Sequence, residues 1–245
     1  MHPLDNPSWK ALTTHQSQFA LATGMARRFP PEMCIHGALA LPMPPAFQDM
    51  AKLSPEPVGL LTRQKPILPP GWTVTRAVEL LEMVQEVAEA AQPEATSGAA
   101  SESRPSPLTG GFQIEDLTAA DLDQMSAVYE ATRPGRKLSP KLYQLGGFVG
   151  IRESVPDGGN QLVAMACLRL HFPGYREIST VATMPGHEGR GHATALVAEL
   201  ARRIRARNEQ PFLTVRTDNQ RAIGIYERLG FRERVKLFST TVQKS

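Results

Sequence analysis

The feature that most constrains this chain is the segment from Gln92 to Gly111, QPEATSGAASESRPSPLTGG. Thirteen of its 20 residues are Pro, Ser, Gly or Ala, and Leu108 is its only large apolar side chain. Such a stretch cannot bury enough surface to offset its ordering entropy, so it reads as a flexible linker. A chain of 245 residues accommodates one large or two small domains. The linker, 92–111, divides it into an N-terminal domain, 1–91, and a second domain, 112–245. Disorder throughout is excluded, because 41% of the residues are hydrophobic and the net charge is only +3. No run of 18 apolar residues exists to form a membrane-spanning helix. The start, Met1-His2-Pro3-Leu4-Asp5, lacks the basic and apolar regions of a signal peptide. Two cysteines, Cys34 and Cys167, make no disulfide framework. The expectation is a cytoplasmic protein with reduced thiols. No Cys or His pair has ligand spacing, so no metal is expected.

The two parts differ in character. Residues 1–91 hold 12 of the 21 prolines, with 7 basic and 8 acidic residues. Long helices are excluded across Pro30-Pro31, Pro42 to Pro45 and Pro66 to Pro70. Short strands are expected at Val58–Thr62 and Trp72–Thr75, and a short helix from Pro45 to Leu53. No chemical motif stands out there, and a structural or partner-binding role is the default. Residues 112–245 carry 19 basic and 14 acidic residues and read in a clear order. Phe112–Glu115 is a short strand, Thr118 caps a helix over 119–132, and Ser139–Leu145 is a short helix. Strands follow at 148–153, 162–170 and 175–184, joined by turns at 156–160 and 173–174, which makes them antiparallel candidates. After the glycine-rich turn from Gly186 to Gly191, a helix is predicted from His192 to Arg207. Its Ala193, Leu196, Val197, Leu200, Ala201 and Ile204 fall on one face. A strand at 212–216, a helix at 220–229 stopped by Gly230 and a last strand at 231–242 complete the order. The class is α/β (α+β): a mixed sheet with helices on its faces, plus a smaller Pro-rich N-terminal domain.

The chemistry gathers where strand 177–183 turns through Gly189-Arg190-Gly191 into the amphipathic helix. A helix start offers unpaired N–H groups and partial positive charge, and two glycines allow close approach of an anion. A plain strand-to-helix turn would look the same, but together these features can cradle a phosphate. The Walker string is missing. The dinucleotide fingerprint fails too, because Thr194 fills its third glycine position and the strands before it are antiparallel. A second motif follows the next strand, DNQRAIGIYERLGF. In it Asn219 and Tyr226 lie seven apart and share a helix face.

These two motifs resemble the GNAT superfamily of acyl-CoA-dependent N-acetyltransferases. Its R/Q-x-x-G-x-G/A turn is matched by Glu188-Gly189-Arg190-Gly191-His192-Ala193. Its N-x-x-A-x-x-x-Y-x-x-x-G-F helix is matched by Asn219, Ala222, Tyr226, Gly230 and Phe231. The resemblance spans about residues 112–242. Some tandem members carry a degenerate copy ahead of the active one, and the resemblance makes residues 1–91 a candidate for such a copy. The resemblance implies a twisted sheet whose fourth and fifth strands splay apart, and acetyl-CoA as co-substrate. Val181, Ala182 and Thr183 would pair with the pantetheine amides as an added strand. Backbone N–H groups of Gly189, Arg190, Gly191, His192, Ala193 and Thr194 would hold the pyrophosphate, and Asn219 the pantetheine arm. Glu188 departs from the usual Arg or Gln; Arg190, His187 and His192 could offset its charge.

Transfer requires a neutral amine and hence a proton acceptor. Glu177 is the candidate, since strand alternation places it on one face with Ser179, Val181 and Thr183, although it could equally be a solvated edge carboxylate. Tyr226 would protonate the leaving thiolate, as the family's equivalent tyrosine does; otherwise it is a core aromatic. Cys167, mid-strand among apolar neighbours, is not expected to carry the acyl group. Arg133, Arg136 and Lys137 could line the acceptor entrance. Arg202, Arg203, Arg205 and Arg207 suit a helix C-terminus, and without interleaved aromatics they indicate no nucleic acid. The expected partner is a small-molecule or peptide amine acceptor, with no membrane or nucleic-acid partner. The competing reading is a non-catalytic acyl-CoA-binding sensor or interaction module.

Overall fold

The computed structural model describes residues 2–85, 112–154 and 159–245. The expected linker, 92–111, and most of the turn expected at 156–160 lie outside the described residues. Along the chain come α1 (Pro7–Thr13), β1 (Leu21–Thr23), β2 (Ala26–Arg28), β3 (His36–Leu39), α2 (Pro44–Leu53), β4 (Val58–Thr62) and β5 (Trp72–Gln85). Then come β6 (Glu115–Leu117), α3 (Leu122–Thr132), β7 (Phe148–Ser154), β8 (Asn160–Phe172), β9 (Tyr175–Thr183) and α4 (His192–Arg205). β10 (Gln210–Arg216), α5 (Gln220–Arg228) and β11 (Phe231–Lys244) complete the chain.

The predicted elements of the second part recur with small shifts. Thr118 accepts a bond from the backbone N–H of Ala120 and Asp121 closes the capping box, but the first turn is a 3-10 turn and α3 starts at Leu122. Ser139–Leu145 yields one 3-10 turn, Leu142–Leu145. The first strand is Glu115–Leu117 rather than 112–115, because Leu117 is the residue that buries. Phe112 instead sets its ring against His192, centroids 4.7 Å apart. In the first part, Pro44 and Pro45 open α2, where a missing N–H costs no helical bond.

Among the described residues, eleven strands form one sheet, in the order β1-β2-β3-β4-β11-β5-β10-β9-β8-β7-β6. The boundary between the two parts of the chain is therefore not a boundary in the sheet. β5, from the first part, runs antiparallel between β10 and β11 of the second. β11 in turn lies between β5 and β4. The expected strand Trp72–Thr75 is only the exposed start of β5. The remainder, RAVELLEMVQ, is rich in Glu, Leu, Met and Gln, residues at home in helices. Pairing on both edges and burial of Leu81, Met83 and Val84 override that preference.

Helices cover both faces. On one, α4 and α5 pack Leu196, Val197, Leu200, Ile204 and Ile223 against Ile151, Val163, Ile178, Leu213 and Phe231. On the other, α1 and α3 pack Leu12, Met125 and Val128 against Phe148, Met165, Phe172 and Phe212. Because both faces of β8 are covered, Leu162–Leu168 is an unbroken buried run rather than an alternating one. The first part also bonds into the second. Gln16 is buried, its amide donates to the carbonyls of Leu145 and Arg169, and its Oε1 accepts from the N–H of His171.

Without β5, the edges of β10 and β11 lose their shared partner and the apolar row beneath them opens to water. A chain of residues 112–245 alone is expected to show no cooperative thermal transition by circular dichroism. Co-expression with residues 1–91 restores one.

Candidate active site

β9 and β10 run parallel and pair only at Gln210↔Tyr175, Pro211↔Arg176 and Phe212↔Glu177. Beyond that point β9 continues to Thr183 and β10 to Arg216 with no ladder between them. The fourth and fifth strands of the second part thus open a wedge whose apex is Glu177 and Phe212. Thr180 marks the opening, with a left-handed φ of 53°, uncommon for a β-branched residue. It lies in a bulge: Cys167 pairs with Ser179, but Met165 pairs with Ala182. The extra residue corrects the face assignment. Ala182, not Val181 or Thr183, shares a face with Glu177 and Ser179, while Val181 packs towards α4.

At the mouth of the wedge, Gly189 has φ 81° and Gly191 φ 92°, backbone that an L side chain adopts only under strain. Gly191 is the N-cap of α4 and carries no side chain to cap it. The first-turn N–H groups from His192 to Thr194 therefore have no side-chain cap, and the turn above them is exposed. A Cβ at Gly189 would meet nothing within 4 Å, whereas one at Gly191 would come 3.7 Å from the Phe112 ring, which borders the bend on that side. Glu188 folds onto its own turn, accepting the Gly186 N–H at 2.7 Å. The three groups expected to offset it are held by Glu153 at the end of β7. Its carboxylate meets His187 Nδ1 at 2.9 Å, an Arg190 guanidinium nitrogen at 2.7 Å and His192 Nε2 at 3.0 Å. The His192 contact is an ion-pair approach without hydrogen-bond geometry. Burial lowers the His192 pKa, and Glu153 acts in the opposite direction.

Tyr226, on α5, is buried among the residues facing α4, and burial pushes its phenol up to about 12. Asn219 is the N-cap of α5, its Oδ1 accepting the Ala222 N–H at 3.2 Å, so one of its two polar atoms is already engaged. Arg133, just past α3, reaches into the wedge and donates to the Val181 carbonyl at 3.2 Å while lying over the Tyr129 ring. Arg136 and Lys137 remain exposed.

Glu177 is not an edge carboxylate. It is fully buried at the apex, with both oxygens bound to Arg169 of β8 at 2.8 and 2.6 Å. Both of its oxygens are taken up by one guanidinium, which leaves neither directed at an acceptor and weighs against its expected role as base. Arg169 also meets His36 Nε2 at 2.9 Å, and burial followed by Arg169 holds His36 well below its ordinary range. The Cys167 thiol is buried and pushed up to about 12 by desolvation, so it makes no ready nucleophile. Arg202 and Arg203 pair with Glu199, Arg203 also with Asp116, and Arg205 with Gln85.

A structure from Novosphingobium aromaticivorans, assigned to the GNAT family of acetyltransferases, is 32% identical, with each chain covered in full and a TM-score of 0.81. The chain belongs to the GNAT family of acetyltransferases. The family model described as FR47-like protein matches residues 148–239. The fold alone is shared with a GCN5-related N-acetyltransferase from Kribbella flavida, 16% identical, covering 96% of this chain and 95% of that one, TM-score 0.54. It is shared likewise with a GCN5-related N-acetyltransferase-like protein from Streptococcus suis, 14% identical, covering 96% and 93%, TM-score 0.58. No curated protein matches. As a GNAT member the chain is an acyltransferase, and among its described residues no helix is long and apolar enough to cross a membrane.

The acetyltransferase also contains polar groups that sequence reading passed over. Arg169, His36 and Glu82 lie in segments without a motif, and only strand register brings them together. His15, His171 and Glu209, likewise far apart in sequence, place their donor atoms within 4.8 Å of one another, so ligand spacing along the chain was no guide to them. Glu153 offered no signal beyond its place at a strand end. Replacing it, Glu153→Gln, removes the charge that opposes burial at His192. That imidazole is then expected to titrate at still lower pH than in the wild type, which side-chain NMR titration measures.

Proposed function

We propose that this acetyltransferase moves an acetyl group from acetyl-CoA to a primary amine by direct transfer in a ternary complex. The observation that carries the reading is the wedge: main-chain groups of β9 beyond Glu177 have no partner on β10, and the uncapped start of α4 lies at its mouth. Unpaired strand edge suits the two amides of a pantetheine arm, and an open helix N-terminus suits a diphosphate. Val181, Ala182 and Thr183 supply the edge, Gly189 to Thr194 the cradle, and Asn219 its free amide group. Arg133 yields the Val181 carbonyl when the arm enters.

In the reaction, the amine nitrogen forms the new bond to the thioester carbonyl carbon, and the oxyanion is held by a backbone N–H near Val181. The C–S bond then breaks and the sulfur receives a proton. Tyr226 suits this last step: with its pKa raised to about 12 it holds its proton at neutral pH until the departing sulfur takes it. The acceptor is a small molecule or a peptide amine, and its identity lies in side chains lining the wedge on the α1–α3 face rather than in the fold. The first part of the chain, with β3, α2 and β4 forming a parallel pair around a helix as β9, α4 and β10 do, fits a degenerate copy. A second reading, acyl-CoA binding without transfer, draws on one feature: the expected base, Glu177, is locked to Arg169.

Thiol release from acetyl-CoA across a panel of primary amines separates the two. Transfer predicts release with at least one amine, and Tyr226→Phe is expected to lower kcat by about 10²-fold or more with acetyl-CoA affinity unchanged by calorimetry. Binding with no release for any amine supports the second reading. Gly189→Ala, which forces a side chain into left-handed backbone, is expected to weaken acetyl-CoA binding about tenfold, about 1.4 kcal/mol.

A further inference from the structure

Glu82 lies at the centre of the sheet, on β5, where its side chain is fully buried. Its Oε1 accepts a hydrogen bond from Arg234 of β11 at 2.8 Å. Its Oε2 is buried with no partner among the described residues. A buried carboxyl oxygen without a donor is costly, and a fold that retains one warrants a chemical explanation.

The register locates this oxygen relative to the wedge. Glu82 is opposite Thr214 of β10, and Val84 is opposite Phe212, which in turn is opposite Glu177. Residues directly opposed on neighbouring strands point to one face, so Glu82, Thr214 and Glu177 all face α1 and α3. The β9–β10 ladder ends at Phe212. Thr214, half-buried, therefore stands on the open edge of the wedge. Glu82 is the next side chain behind it, one strand spacing of about 4.8 Å away. The cradle at α4 is on the opposite face. The acyl donor thus enters from one side, and Glu82 faces the other.

We propose that Glu82, delivered by the strand that the first part of the chain inserts, accepts the proton of the attacking amine. The nitrogen forms its bond to the carbonyl carbon, its proton passes to Glu82 Oε2, the C–S bond breaks, and the thiolate takes the Tyr226 proton; water then reprotonates the phenolate and takes up the proton from Glu82, which closes the cycle. This rests on the transferase reading above. The charged groups facing Glu82 are Arg234 from β11, Glu177 from β9 and Asp5 from the N-terminal turn; Arg169 and Arg63 face their own carboxylate partners. Burial pushes the Glu82 carboxyl up to about 7, against the pull of Arg234 and with help from Glu177 and Asp5. Near neutral pH it can both take up and give back a proton, as a base poised at the working pH must. Arg234 is not stranded when Glu82 becomes neutral, because Asp5 holds it at 2.5 Å. Glu177, by contrast, has both oxygens bound to Arg169 and none left unpartnered.

The test compares wild type, Glu82→Gln, Glu82→Asp and Glu177→Gln, measuring thiol release from acetyl-CoA with primary amines from pH 5.5 to 9 and acetyl-CoA affinity by calorimetry. The base works only when deprotonated, so wild-type kcat/KM is expected to rise with pH through an inflection near 7. Glu82→Gln is expected to lose that inflection and about 10²-fold or more in kcat, with acetyl-CoA affinity unchanged. Glu177→Gln keeps an inflection, moved to lower pH because one of the charges that raises Glu82 is gone, and Glu82→Asp keeps one at a lower rate. An inflection that survives in Glu82→Gln with kcat near wild type, or that vanishes in Glu177→Gln, overturns the assignment of Glu82 and leaves the transferase reading standing. A wild type that binds acetyl-CoA yet releases no thiol with any amine overturns both. Should Glu82→Gln fail to fold, infrared titration of the wild type decides: a protonated buried carboxyl band that disappears near pH 7 supports the proposal, and its absence overturns it.

Discussion

The antiparallel ladder between β5 and β11, running from Phe231↔Gln85 to Lys244↔Trp72, is the interaction on which the rest of the molecule depends. It ties the first part of the chain to the last strand and gives each part a strand of the other. β10 has β5 as its ladder partner on one side and only the short pairing with β9 on the other. Because β10 is held firmly along Phe212–Arg216 by β5, it can leave β9 after Phe212 without losing its place. The opening is therefore supported from the far side. A β10 without that support would gain by closing onto β9, since unpaired strand edges seek partners.

The wedge separates two kinds of environment. On the α4 face, a helix start without a cap, two left-handed glycines and the Glu153 cluster of His187, Arg190 and His192 present backbone donors to solvent. The polar residues Glu177, Arg169 and His36, and Glu82, Arg234 and Asp5, form two ionic groups, each with members from both parts of the chain; Glu177, His36 and Glu82 are buried and the others half-buried. Burying that many charges costs desolvation energy that mutual attraction returns only in part. Greasy residues of similar volume would hold the sheet as well. The retention of these groups beside the point where two strands part is an argument for chemistry rather than for stability.

Much of the second part was legible along the chain. The spacing of Leu196, Val197, Leu200 and Ile204 specifies α4, Gly230 stops α5, and the glycine turn with the Asn219–Tyr226 helix is enough to indicate the family. These signals are local, set by helix period and by backbone freedom at single residues, so they survive without knowledge of neighbours. The strand faces were less legible. Alternation through β9 fails at Thr180, because one bulged residue shifts every side chain after it to the other face. β5 was nearly invisible past Thr75, since RAVELLEMVQ carries helix-forming residues and becomes a strand only between two partners distant in sequence.

What the sequence determined by itself is the second part's order of strands and helices, the anion-ready turn at Gly189–Gly191 and the membership of an acyl-transferring family. Each depends on residues within one helix or one turn. Tertiary structure alone decided that the two parts of the chain share one sheet, that Glu177 is bound to Arg169, and that Glu82 stands beside the wedge. Those facts depend on register between strands that are far apart in the chain, and register is set by the packing of both sheet faces at once rather than by any short run of residues.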